Sequence, residues 1–297
     1  MNRAPAPPTA ASPWLPTAPC TPGRCDEHPG PDAGTVPPAL AVLRLAAGLS
    51  AVLAGVLLAP ATALLPTAAR RAAARRWCRA VLRAFGVRTR ITGVPADGPL
   101  LVVANHVSWL DIPLVAAALP GRMLAKTEVG SWPVLGPLAA RGGTLFIDRD
   151  RLRALPGTVR AMCTVLTGGG RVIVFPEGST WCGRATGVFR PAAFQAALDA
   201  GAAVQPVRIG YRPDGPAAFV ADDPLAASLW RIATARALTA ELRILDPLPG
   251  GAYTDRRSLA RAAQRAVASE RANRSFSSVH QRVSSSPASA SSARTPA

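Results

Sequence analysis

No charged residue occurs between Arg44 and Arg70, and within that gap Leu45 to Leu65 is long enough to cross a hydrocarbon layer needing about 20 apolar residues. A run of this kind must lie in a bilayer or be buried in a protein core, so it fixes the first decision about the fold. It starts about forty residues into the chain and exceeds the h-region of a signal peptide, which argues against a cleaved leader. Pro60 lies in its second half, where a missing backbone donor kinks or splits a helix, so the run either spans the bilayer or forms two short helices dipping into one leaflet. Arg70, Arg71, Arg75, Arg76 and Arg79 follow at once. By the positive-inside rule they face the cytoplasm, and on an amphipathic helix they would grip anionic headgroups. The competing reading is a buried core helix, since alanine lowers the hydrophobicity of the run.

Beyond this segment the pattern changes to short apolar runs alternating with helical ones. Leu100 to Ala104, Gly143 to Ile147, Arg171 to Phe175 and Val204 to Ile209 read as strands bounded by Gly, Pro or Asn. Helices are expected over Ile112 to Leu119, Leu155 to Leu166 and Ala192 to Ala200, with later ones over Leu225 to Ala240 and Ser258 to Arg271. The alternation predicts an α/β fold with its site at strand ends. The expected organisation is a disordered Pro-rich leader over 1–37, a membrane-associated helical motif over 38–90, the α/β domain over 91–250, a C-terminal helix over 251–271 and a disordered tail over 272–297.

The net charge of +17 is almost wholly arginine, Lys126 being the single lysine. Such a chain is drawn to anionic surfaces. Aromatic residues make up only 5%, and neither zinc-finger spacing nor an aromatic-interleaved basic stripe is present, so membrane lipid rather than nucleic acid is the expected anionic partner. The cysteines at 20, 25, 78, 163 and 182 form no disulfide framework or metal set and read as free thiols.

His28 and His280 lie in the Pro-rich and Ser-rich ends, which leaves His106 to carry any imidazole chemistry. It follows the strand Leu100 to Ala104, within Asn105-His106-Val107-Ser108-Trp109-Leu110-Asp111. On a regular helix a spacing of five would splay His106 and Asp111 by about 140°, so they meet only if a strand-to-helix turn bends the histidine back. Ser108-Trp109-Leu110-Asp111 is a capping sequence suited to that turn; alternatively Asp111 merely caps a helix. Phe175-Pro176-Glu177-Gly178-Ser179 presents a carboxylate and a small residue at the end of another strand, and Arg149 stands at the end of a third. Taken singly, Glu177 could be a solvated turn residue and Arg149 a surface ion-pair partner.

Together, in order, these blocks resemble the glycerolipid acyltransferase family that includes 1-acylglycerol-3-phosphate acyltransferases. Asn105-His106-x-Ser108-x-x-Asp111 matches its first block. Lys126-x-Glu128 with Pro133, Gly136 and Gly143-x-x-Phe146-Ile147-x-Arg149 matches the second, and Phe175-Pro176-Glu177-Gly178 and Val204-x-Pro206 match the third and fourth. The resemblance covers roughly residues 98 to 212. It implies an acyltransferase domain that moves a fatty acyl group from an acyl thioester, acyl-CoA or acyl carrier protein, to a lysolipid hydroxyl at the cytoplasmic face of the cell membrane. It implies no metal or other cofactor. His106 would be general base and Asp111 its orienting partner. Arg149, Glu177, Gly178, Lys126 and Ser179 would bind or position the acceptor. Lysophosphatidate is the expected acceptor. One departure weighs against it: Glu177-Gly178-Ser179 is followed by Thr180 and Trp181, where lysophosphatidate users commonly carry an arginine. Lyso-ornithine lipid or another lysolipid is the alternative.

Two further classes compete. A serine or cysteine hydrolase would need a nucleophile such as Ser108 or Cys182, but the sequence contains no Gly-x-Ser-x-Gly elbow. A membrane scaffold would explain the basic segment and not the four ordered blocks.

Overall fold

The structure, a computed structural model, describes residues 18–20, 34–62, 64–133, 135–149, 151–220 and 223–269. Its centre is a seven-stranded sheet in the order β1-β7-β6-β2-β5-β3-β4. The strands are β1 (Arg88–Thr92), β2 (Leu100–Ala104), β3 (Arg122–Lys126), β4 (Leu145–Ile147), β5 (Arg171–Val174), β6 (Ala203–Arg212) and β7 (Thr239–Ile244). Strands β2 to β6 run parallel. Strand β7 is antiparallel to β6 and carries β1 parallel to itself at the edge. β2 is buried at every position, with Leu100, Val102 and Ala104 facing one core and Leu101 and Val103 the other, which is why it reads as an unbroken apolar run.

Helices cover both faces. On one side lie α1 (Pro38–Thr62), α2 (Thr67–Ala84), α3 (Asp111–Ala118) and α8 (Leu225–Thr234). The other is covered by α6 (Leu155–Thr167), α7 (Ala192–Asp199) and α9 (residues 256–269). The short α4 (Thr127–Gly130) and α5 (Leu135–Arg141) join β3 to β4. α1 remains one helix through Pro60, so the alternative of two short helices is not the one adopted. The proline falls in its last turn, where the chain is about to leave the helix anyway. By length and composition α1 is the one helix among the described residues that could cross a membrane, with a mean hydropathy of 2.1. α2 lies along it. Phe85 and Trp77 occupy the spaces left by Gly48 and Gly55, and the Trp77 indole N–H donates to the Ala51 carbonyl at 2.8 Å.

Several expectations need correcting. The sheet begins at Arg88, inside the segment assigned to the membrane motif, because β1 is an exposed edge strand whose arginines mask its alternation. The helix expected over Leu225 to Ala240 stops at Thr234, and Thr239 already belongs to β7. That strand was hidden by the alanine-rich run before it. β3 went unforeseen because it has no β-branched residue. The leader also touches the domain: Val36 N–H donates to Thr234 C=O at 2.8 Å, and Cys20 is buried with Cys182 and Val220. The rest of the leader, His28, Cys25, His280 and the 272–297 tail lie outside the described residues.

Candidate active site

β2 ends in Asn105, whose side-chain amide behaves as one more rung of the sheet. Its Nδ2 donates to the Ile209 carbonyl at 3.0 Å, and its Oδ1 accepts the Ile209 N–H at 2.8 Å. The chain then turns tightly toward α3. The Ser108 hydroxyl accepts the Leu110 N–H at 3.3 Å, and Asp111 reaches back to the Ser108 N–H at 2.9 Å, so both side chains of the capping sequence hold the turn, with only the Asp111 half of a capping box formed.

Asp111 is fully buried, and the loop converges on its carboxylate. Oδ2 accepts hydrogens from His106 Nδ1 at 2.8 Å, Val107 N at 2.6 Å and Ser108 N at 2.9 Å; Oδ1 accepts the Tyr211 hydroxyl at 2.5 Å. The turn thus brings His106 back onto Asp111, as the spacing required. With Nδ1–H given to the carboxylate, Nε2 carries the lone pair. The imidazole is 19% exposed and stacks on Phe175, with centroids 4.1 Å apart and planes 16° from parallel.

The backbone of His106 is held on both sides. Its N–H donates to Glu177 Oε2 at 2.7 Å, and its carbonyl accepts the Trp181 N–H at 2.8 Å. The other Glu177 oxygen accepts the Gly187 N–H at 2.9 Å, and the residue is 3% exposed. Burial pushes its carboxyl up to about 7 against the downward pull of those two N–H groups. Glu177 was expected to bind or position the acceptor; both of its oxygens accept backbone N–H groups, one from His106 and one from Gly187 on the segment opposite. Trp181 likewise acts through its peptide group.

Gly178 follows in the left-handed conformation, φ +73°, and its carbonyl accepts Arg149 Nη1 at 2.5 Å. This bond ties the ends of β4 and β5 together. Burial pulls the Arg149 guanidinium below its ordinary value, and Glu128 opposes that pull. Glu128 is exposed. Its own backbone N–H, and then Lys126, Thr127 and Arg149, hold its carboxylate low. Lys126 ends β3 and joins the cluster through Glu128. Ser179 continues the turn after Gly178, half-buried. Among the described residues no His, Cys, Asp and Glu side chains gather as a metal group would require.

Tyr211 is the partner of Asp111 that the sequence did not reveal. β6 was expected to stop at Ile209, but it runs on to Arg212, and its alternation puts Tyr211 in the same core as Val207 and Ile209. Carrying that period two residues further would have exposed it.

The match to known proteins is decisive. The Acyltransferase family model covers residues 87–210. A lyso-ornithine lipid O-acyltransferase of Pseudomonas aeruginosa is 39% identical over 205 residues, which span 68% of this chain and 79% of that protein. The chain belongs to the acyltransferase family. A 1-acyl-sn-glycerol-3-phosphate acyltransferase of Neisseria meningitidis is 40% identical to this acyltransferase over 169 residues, 54% of the chain and 66% of that relative. The crystal structure of the 1-acyl-sn-glycerophosphate (LPA) acyltransferase PlsC from Thermotoga maritima shares its fold. The TM-score is 0.62 at 21% identity, over 77% of this chain and 92% of that one.

Proposed function

We propose that this acyltransferase moves an acyl group from acyl-CoA or acyl carrier protein to a lysolipid hydroxyl, with His106 as general base. The observation that carries the reading is the His106 Nδ1 to Asp111 Oδ2 bond inside a carboxylate that accepts four hydrogens. His106 Nε2 removes the hydroxyl proton as the oxygen attacks the thioester carbonyl carbon. The carbon–sulfur bond then breaks, and the imidazolium returns its proton to the departing thiolate. Asp111 holds the tautomer and stabilises the cation. Arg149, Lys126 and Glu128 form a rim of mixed charge, which favours a zwitterionic headgroup such as that of lyso-ornithine lipid. The relative from Neisseria meningitidis keeps lysophosphatidate as the second reading.

The same reading places the enzyme in one leaflet, on the cytoplasmic side. α1 is packed on α2, whose Arg70, Arg71, Arg75, Arg76, Arg79 and Arg83 are too polar to accompany it across the hydrocarbon. α1 therefore lies with Leu43, Leu49, Leu53 and Leu57 in the interface, and the arginines sit at headgroup depth. Labelled acyl-CoA transfer in detergent micelles, with lysophosphatidate and lyso-ornithine lipid offered separately, tests the proposal. The expected result is product from one acceptor that falls by about 10²- to 10⁴-fold in His106→Ala. A mutant as active as wild type would remove His106 from the chemistry.

A further inference from the structure

Away from His106, the C-terminal half of α2 and the edge strand β1 enclose an open cavity of about 610 Å³ lined by Arg79, Arg83, Arg88 and Thr89, without a carboxylate. Arg44 lies behind this wall. Gly86, at φ +81°, forms part of the wall, and a Cβ there would lie 2.6 Å from the Arg44 guanidinium carbon. Arg44 is fixed in place by Nη1, which donates to the Ala233 and Ala235 carbonyls at 3.0 and 2.8 Å. The C-terminal dipole of α2 accounts for one cation, Arg83, and not for all three that line the cavity. Guanidiniums gathered without a counter-charge repel one another until an anion enters.

The sheet puts this cavity beside the chemistry. Ile91, on the cavity wall, pairs in register with Leu242, Leu242 pairs with Ile209, and Ile209 is bonded to Asn105, so the wall is level with the end of β2 that delivers His106. The lateral offset is three strand spacings, roughly 14 Å, and Arg88 lies three residues, roughly 10 Å, farther along the strand direction. Phe85, next to the cavity wall, meets Trp109 of the catalytic loop edge-to-face, with centroids 5.3 Å apart.

We infer that Arg79, Arg83 and Arg88 form a binding site for the phosphate groups of an anionic ligand brought to the active-site end of the sheet. Guanidinium forks match phosphate oxygens, and a multiply charged phosphate would neutralise the cluster. Two sources supply that chemistry. One is the nucleotide end of an acyl-CoA donor, whose pantetheine arm reaches about 15 Å when extended, comparable with the offset. The other is the headgroup of an anionic phospholipid in the leaflet beside α1. The donor source rests on the thioester reading above; the phosphate site does not.

The test measures binding without turnover, using the full chain. Adenosine bisphosphate, the nucleotide end of coenzyme A, is titrated calorimetrically. Co-sedimentation is measured with phosphatidylcholine vesicles with and without phosphatidylglycerol. Wild type is compared with Arg83→Glu/Arg88→Glu and with a charge-matched control at exposed positions on α9, Arg256→Glu/Arg257→Glu. The cavity variant is expected to lose about tenfold in affinity for one probe, the control less than about twofold. Loss for the nucleotide assigns the donor, and loss for anionic vesicles assigns the lipid. Arg83→Lys/Arg88→Lys, which keeps the charge without the fork, is expected to fall between the two and separates ligand loss from misfolding. Equal binding of both probes by wild type and the cavity variant, or binding of neither by wild type, overturns the site. A protein that binds nucleotide through these arginines yet transfers no acyl group would leave the site standing and the acyl-transfer reading failed.

Discussion

At the end of β2 both oxygens of Asp111 are committed to hydrogen bonds, whereas at the end of β4 Arg149 reaches the site through its bond to the Gly178 carbonyl, and Lys126, at the end of β3, lies beside Glu128. The first corner is held from every side: by the sheet through Asn105, by Glu177 and Trp181 on the backbone of His106, and by Phe175 under its ring. The second is half-exposed and closes around Glu128. Under the proposed mechanism a proton-transfer pair needs a fixed geometry whichever acceptor arrives, while a surface that meets a headgroup gains from side chains that can adjust. The rigid corner therefore suits the reaction and the looser rim suits acceptor choice.

Asp111→Asn breaks the rigid corner most severely. The amide keeps the shape but removes the charge and presents N–H groups toward buried donors, so kcat should fall by about 10³- to 10⁴-fold, the scale seen when a triad carboxylate becomes an amide. Asp111→Ala should in addition lower thermal stability, because Val107 N–H, Ser108 N–H and the Tyr211 hydroxyl lose their acceptor at about 1–3 kcal/mol each. An Asn variant retaining a tenth of the activity would show that the corner does not orient His106.

Arg149→Gln probes the rim. Loss of the cation should raise the acceptor KM by about tenfold with kcat little changed, the pattern of lost ground-state binding. A fall in kcat at constant KM would instead place Arg149 with the rigid corner. Tyr211→Phe returns to that corner with a smaller change. The ring stays in the core while Oδ1 of Asp111 loses its donor, so kcat should drop by a few-fold to about tenfold with both substrate KM values unchanged. Wild-type kcat would reduce the Tyr211 bond to packing.

The contrast between the two corners also governs how much the sequence reveals. β2 announces itself as a continuous apolar run because it is buried on both faces, and the loop after it carries its own turn chemistry in Ser108 and Asp111. That corner is local, within six residues of His106, and was legible. Tyr211 lies one hundred residues from Asp111 along the chain, and only the pairing of β6 with β2 brings them together. Glu177 was found by motif, but its contacts were not legible. Nothing in Phe175-Pro176-Glu177-Gly178 says that its carboxylate turns inward to the backbone of His106 and Gly187. The edge strand β1 was obscured for a different reason. It is an edge strand paired only with β7, and its residues are almost all exposed, so burial imposes no clean alternation.

Glu177→Gln gives the smallest effect and the sharpest pH signature. In the wild type burial raises this carboxyl from 4.5 to about 7, so the folded state holds its proton more tightly than the unfolded chain. The stabilisation associated with the neutral form is therefore complete below about 4.5 and is lost as pH rises toward 7, a span of a few kcal/mol at most by linkage. A glutamine cannot ionise. Its carbonyl can keep one of the two N–H bonds, to His106 or to Gly187, and it gives up the other. The variant should thus unfold at or below the wild-type temperature near pH 5 and gain on it steadily toward pH 8, as read from thermal unfolding of both proteins in matched buffers. Because the substitution leaves His106 and Asp111 in place, kcat should change by only a few-fold. Parallel unfolding curves across that pH range would mean that Glu177 is ionised throughout and that its two N–H partners outweigh its burial.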